Sequence, residues 1–239
     1  MRVPALFAVG AALAGAVPAH AADIAVAAFA GPVPVITIRG EIQAGDDLKF
    51  TRFAAVLATA VVELDSTGGR LAPALTIGDT LARKGFSTYV GPHAVCSSAC
   101  GLIWLAGKPR VKQATAAIGF HAAYVPDGQG IDRENGLSNA LIGSYMTRLE
   151  LGTGAIMFAT AAGPGGMGWI TPEDGLRYGI PFEVVDEDIA NLRTAAPSRA
   201  DMAAEAVGSL KSAVSAVRRA EAQSQSAPQK GPALSLIHI

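Results

Sequence analysis

The sequence predicts an α/β domain in which helices flank a mostly parallel sheet. Half of its 239 residues are hydrophobic but only 6% are aromatic, a composition rich in Ala, Gly and Val that suits a close-packed core. Short apolar runs ended by glycines alternate with stretches of helical periodicity. The resulting order of strand, helix, strand, helix, strand calls for right-handed crossovers, which set the strands parallel and gather active groups at their carboxyl ends. About twenty residues at each end read as removable, which leaves the length of one ordinary domain.

The N-terminus reads as an address. Arg2 precedes an apolar run from Val3 to Val17 and then Ala19-His20-Ala21, the small-x-small pattern of a signal peptidase site. Residues 1–21 are therefore expected to be a signal peptide, with the mature chain starting at Ala22 and delivered to the periplasm or outside the cell. The run is shorter than the roughly 20 residues a membrane span needs, and no later segment approaches that length.

Residues 22–195 form the expected domain. Val35 to Ile38 and Ala60 to Leu64 read as buried strands ended by Gly40 and by Asp65-Ser66-Thr67-Gly68-Gly69. Between them a helix is expected, capped by Asp46-Asp47 and striped by Phe50, Phe53, Ala54 and Leu57. Leu71, Leu75, Gly78 and Leu81 define a second helix, ended by Gly85, and Ser87 to Val90 a third strand. Gly101 to Ala106 reads as a helix buried nearly all round, with Ser98 near its first turn. Val111 to Ile118 reads as one strand delivering Gly119-Phe120-His121. Leu137 to Leu151, with Leu141, Tyr145 and Leu149 on one face, and Ala155 to Ala162 are two more helices. A last one starts at Thr171-Pro172-Glu173, with Thr171 as N-cap and Pro172 as first residue.

Residues 196–222 are Ala-rich and helical in pattern, and Val207, Leu210, Val214 and Val217 follow the spacing of either a short coiled-coil seam, which would suit self-association, or a helix face packed on the domain. Residues 223–239 read as a Gln, Ser and Pro-rich tail whose last six residues resemble translated vector. Nineteen Lys and Arg face twenty Asp and Glu, so no basic footprint for nucleic acid or an anionic membrane is present.

With the leader and tail set aside, only His93 and His121 remain to act as a base. A serine needs an adjacent base to become a nucleophile, and the oxyanion it creates needs two fixed N–H donors. A serine entering a helix has free first-turn amides beside it, and a Gly-Gly loop at a neighbouring strand end admits close approach of a second donor. Ser98-Ala99 and Gly68-Gly69 fit these roles.

From about Ile36 to Val185 the chain resembles the proteolytic subunit of Clp protease and exported relatives in the ClpP/crotonase superfamily. Four landmarks carry this: Leu64-Asp65-Ser66-Thr67-Gly68-Gly69, Ser98-Ala99-Cys100 leading to Ala106-Gly107, Gly119-Phe120-His121, and Thr171-Pro172-Glu173 leading to Tyr178-Gly179-Ile180. The resemblance implies a repeated ββα-type core. It places the nucleophile on Ser98 rather than Ser97, the base on His121, and the oxyanion hole on the amides of Gly68 and Ala99. Two positions depart from the family pattern. Thr67 stands where proline is usual, and Met167 stands where the triad aspartate is expected. Glu173, Asp174 or a backbone carbonyl is left to hold the imidazole, or the site is inactive.

Cys96 and Cys100 bracket the serine, and export favours a disulfide between them over buried thiols or a catalytic or metal-binding role. A Ser-Lys dyad through Lys108 or Lys112 is the lesser alternative, both being expected at an exposed helix end. His93 is expected on a loop. The function expected is a Ser/His peptidase cutting peptides or unfolded protein segments, without metal or cofactor. The alternative is a noncatalytic scaffold of the same fold; an acyl-CoA enzyme of the superfamily fits export poorly.

Overall fold

The computed structural model describes residues 21–27, 33–127, 129 and 131–186. The expected signal peptide up to His20, residues 187–195, the helix over 196–222 and the tail lie outside the described residues. In chain order the elements are β1 (Asp23–Ala27), β2 (Val35–Arg39), α1 (Asp46–Val56), β3 (Val61–Asp65), α2 (Leu71–Lys84), β4 (Ser87–Val90), β5 (Val95–Ser97) and α3 (Ala99–Leu105). They continue with β6 (Arg110–Gln113), β7 (Ala117–Phe120), β8 (Tyr124–Pro126), β9 (Asp132–Glu134), α4 (Gly136–Arg148), α5 (Thr153–Ala161), β10 (Gly168–Trp169), α6 (Pro172–Tyr178) and β11 (Glu183–Val185).

The main sheet runs β1-β2-β3-β4-β6-β11. From β2 onward its strands are parallel, and β1 is an antiparallel edge with Asp23 opposite Arg39 and Ala27 opposite Val35. A second sheet, β10-β7-β5, pairs β5 with β7 in parallel and β10 with β7 antiparallel. A bridge between Ser66 and Cys96 ties the end of β3 to β5, so the two sheets meet beside Ser98. The mixed α/β architecture with a mostly parallel main sheet is the one expected from the alternation of elements.

Two expectations are corrected. The run from Val111 to Ile118 is two strands in different sheets, because the chain turns at Gln113: its side chain accepts the Thr115 N–H at 2.6 Å and its carbonyl accepts the Ala116 N–H at 2.9 Å. Helix α1 is not capped by the Asp46 and Asp47 side chains. Gly45 is its N-cap, in a left-handed conformation, and Asp46 reaches elsewhere.

The core lies between the main sheet and the helices, with Ile36, Ile38, Leu64, Phe50, Phe86 and Trp104 fully buried. Every residue of α3 is buried, as its uninterrupted apolar sequence requires. On α4 Tyr145 and Leu149 are buried but Leu141 is half exposed, because this helix is covered on one side only. The Tyr145 hydroxyl donates to the Leu102 carbonyl at 2.8 Å, and burial pushes its ionisation well above the usual phenol range. No helix among the described residues is long and apolar enough to cross a membrane.

Candidate active site

Ser98 occupies the turn from β5 into α3, with φ 56° and ψ −125°. A non-glycine residue at positive φ is strained by about 1–3 kcal/mol and persists only where its surroundings fix it. Here the fixing bonds are visible: the Ser98 N–H donates to the Gly119 carbonyl at 2.9 Å, and the Ser98 carbonyl accepts from Leu102 at 3.4 Å. Its side chain makes no capping hydrogen bond, which separates it from the common helix-start serine. Ser97 differs in every respect. It is 5% exposed, and its hydroxyl donates to the Thr67 carbonyl at 3.2 Å. Of the two adjacent serines, only Ser98 is partly exposed with an uncommitted cap.

Three glycines bring backbones together at this turn. A Cβ on Gly68, which sits at φ +100°, would lie 2.7 Å from Ser98 Cβ and 2.9 Å from the Ala99 nitrogen. One on Gly101 would lie 2.8 Å from the Phe120 ring, and one on Gly119 2.7 Å from Met167 Cγ. The Gly68 loop, the start of α3 and strand β7 are thus in van der Waals contact around the serine. The Ala99 amide lies in the first turn of α3, where N–H groups have no helical acceptor. The Gly68 amide does not stand free. It donates to the Ser66 hydroxyl at 3.1 Å, so an oxyanion would compete with Ser66 for it. Ser66, 3% exposed, is thus a site residue that motif spacing missed. The signal was present as a serine two residues before a turn glycine, the pattern of a side chain bonding its own turn.

His121 follows β7, the strand that pairs with β5 with Ser97 opposite Gly119. Its Nδ1 lies 2.7 Å from the Ala122 carbonyl. A carbonyl accepts only, so this contact assigns the proton to Nδ1 and leaves the Nε2 lone pair open. The ring stands 5.3 Å from that of Tyr124. The Ala122 carbonyl thus fixes the orientation of the His121 ring.

Strand β10 pairs with β7 with Gly168 opposite Phe120, and the Met167 side chain lies against Gly119, two residues before His121. Asp174 is engaged elsewhere: its carboxylate accepts the Thr171 N–H at 3.1 Å and the Thr171 hydroxyl at 2.9 Å, closing a capping box on α6. Glu173 is exposed in the first turn of that helix. The structure brings neither onto the imidazole through any hydrogen bond.

His93 is exposed on the loop between β4 and β5, its N–H donating to the Thr115 hydroxyl at 3.1 Å. Lys108 pairs with Glu150 at 3.2 Å at the surface. Lys112 corrects an expectation: it is 7% exposed on β6 in the main sheet, where burial lowers its pKa. The early end of the preceding helix puts it inside a strand rather than on a solvated turn. No cluster of metal-ligating side chains exists among the described residues.

Cys96 and Cys100 form a disulfide, with Cα atoms 5.1 Å apart and both residues fully buried. It closes the short loop that carries Ser98. Replacing both cysteines with alanine is expected to lower stability by about 2 kcal/mol, the entropy of so short a closed loop, or roughly 4–8 °C in melting temperature. Scanning calorimetry of the two forms checks it, and unchanged melting would show that the bond braces nothing.

Paired sheets meeting at a serine turn, with α3 buried between, constitute the ClpP/crotonase fold. Solved structures that share it include a mutant of the 1510-N membrane-bound stomatin-specific protease, with TM-score 0.52 and 18% identity over 64% of this chain and 79% of that one. A second mutant of that protease, in complex with a substrate peptide, gives 0.51 and 20% over 64% and 74%. The ClpP protease catalytic domain from Plasmodium falciparum is less similar, with TM-score 0.48 and 16% identity over 64% and 85%. No family model and no curated protein sequence matches the chain.

Proposed function

We propose that the chain is an exported serine peptidase acting on peptides or unfolded protein segments. Ser98 is its nucleophile and His121 its base. The observation that carries this reading is the strained, uncapped conformation of Ser98 on a strand-to-helix turn, since strain of that kind is retained where a side chain must be presented. In the proposed reaction Ser98 Oγ attacks the scissile carbonyl and its proton passes to His121 Nε2. The oxyanion is held by the Ala99 N–H and by the Gly68 N–H as that group turns from Ser66. Collapse expels the amine, protonated by His121, and water then releases the acyl group by the same route in reverse.

A noncatalytic scaffold is the second reading, favoured by the Gly68 amide already bonded to Ser66 and by a methionine at position 167, where the resemblance expects the triad aspartate. A fluorophosphonate probe decides between them: labelling of the wild-type chain that is lost in Ser98→Ala supports the peptidase. Absence of labelling across pH 6–9 supports the scaffold. Self-association through the helix expected over 196–222 belongs to the same proposal, with no stable membrane span once the leader is removed.

A further inference from the structure

Ala22, the residue that removal of the leader would expose, is 1% exposed, and its nitrogen donates to Asp46 Oδ2 at 3.1 Å. Asp46 is itself 2% exposed, and the same oxygen accepts the Gln43 N–H at 2.7 Å. Among the described residues no side-chain cation pairs with this carboxylate; Lys49, three residues on, sends its Nζ to the Ala22 carbonyl at 3.5 Å. Ala21 is exposed, so the bond between Ala21 and Ala22 stands at the surface while the atom on its far side points inward.

A buried carboxylate held by N–H groups alone lacks the counter-charge that buried ions ordinarily have. Hydrolysis of the Ala21–Ala22 bond by a signal peptidase would supply one. Water adds across the peptide, Ala21 leaves with the new carboxylate, and Ala22 keeps an amine that is mostly protonated near neutral pH. The nitrogen then offers three N–H donors and a full positive charge where it offered one neutral N–H.

From this geometry we infer that Asp46 is a docking site for the mature N-terminus: the α-ammonium of Ala22 pairs with it and clamps the edge strand β1 to α1. The inference rests on the export reading for its trigger but not on the peptidase chemistry. Cleavage is in this sense a folding step, because β1 is an edge strand whose start is held to the domain through the Ala22–Asp46 contact.

Two forms of the chain test it, one beginning at Ala22, released from a fusion partner that leaves no extra residue, and one carrying Gly-Ser-Ala21 ahead of it. The form beginning at Ala22 is expected to melt roughly 3–8 °C higher. Acetylating its α-amine should abolish the difference, and Asp46→Asn should bring the two forms to the same melting temperature. The α-amine should also react several-fold more slowly with an acylating reagent at pH 7 in the wild-type chain than in Asp46→Asn. Equal melting of the two wild-type forms, or an α-amine that reacts as fast as in the variant, overturns the ion pair. The N-terminus of the exported protein, read by mass, tests the trigger separately: a cut away from Ala22 overturns the maturation step.

Discussion

His121→Ala is expected to abolish fluorophosphonate labelling about as completely as Ser98→Ala. The two act on one step, since the serine is inert without a proton acceptor and the imidazole has no task without the serine, so loss of either removes the unit. General-base help is worth roughly 10²–10⁴-fold, and that is the expected fall in labelling rate for the histidine variant. His93→Ala should leave the rate within about twofold, because its ring sits on an exposed loop away from the turn. The Ala122 carbonyl orients His121 but carries no full negative charge, so it stabilises the imidazolium less than a carboxylate does. Met167→Asp is expected to raise the rate above wild type, by putting a carboxylate back at the position where the resemblance expects the triad aspartate. A His121→Ala protein that labels like wild type while His93→Ala does not would remove His121 from the mechanism.

Gly68→Ala is expected to damage both the fold and the labelling of Ser98. At φ +100° an L side chain is strained, and its Cβ would press on Ser98 Cβ, the Ser97 carbonyl and the Ala99 nitrogen, all backbone or near-backbone atoms that cannot rotate away. Strain and overpacking together should cost about 2–5 kcal/mol in urea unfolding. Displacement of the Ala99 amide should lower labelling by about 10²-fold beyond any loss of fold, the worth of one oxyanion donor. Gly85→Ala is the control. It has the same left-handed requirement at φ +65°, but nothing lies within 4 Å of its added Cβ, so it should cost only about 1 kcal/mol and leave labelling intact.

Much of the fold was legible because its main strands are apolar runs ended by glycine and its helices carry full apolar stripes. Helix α2 runs from Leu71 to the left-handed Gly85, as its pattern says. The short elements were not legible. Strand β10 has two residues and β5 three, too few for any period to register, yet they flank β7, which leads into His121, and β5 leads into Ser98. The choice of Ser98 over Ser97 came from the family resemblance, and the structure adds a physical difference, a hydroxyl bonded at Ser97 and uncapped at Ser98. Asp174 could have been set aside from sequence, since Thr171-Pro172-Glu173-Asp174 already spells a capping box that occupies its carboxylate. The role of the Ala122 carbonyl could not, because a backbone acceptor leaves no mark on residue identity.

The short span of the disulfide has a consequence for how the chain reaches this structure. Most of the strand pairs join segments far apart in sequence across helical crossovers, the kind of topology that assembles slowly and exposes unpaired edges meanwhile. Cys96 and Cys100 are separated by only four positions and can meet in a chain with no tertiary order. Oxidation on arrival in an oxidising compartment would therefore commit the chain to no wrong topology, and two cysteines have only one intramolecular pairing to choose. A chain released unfolded on the far side of a membrane could thus close its serine loop at the outset and form the rest of the sheet around it, independent of any enzyme that reshuffles bonds.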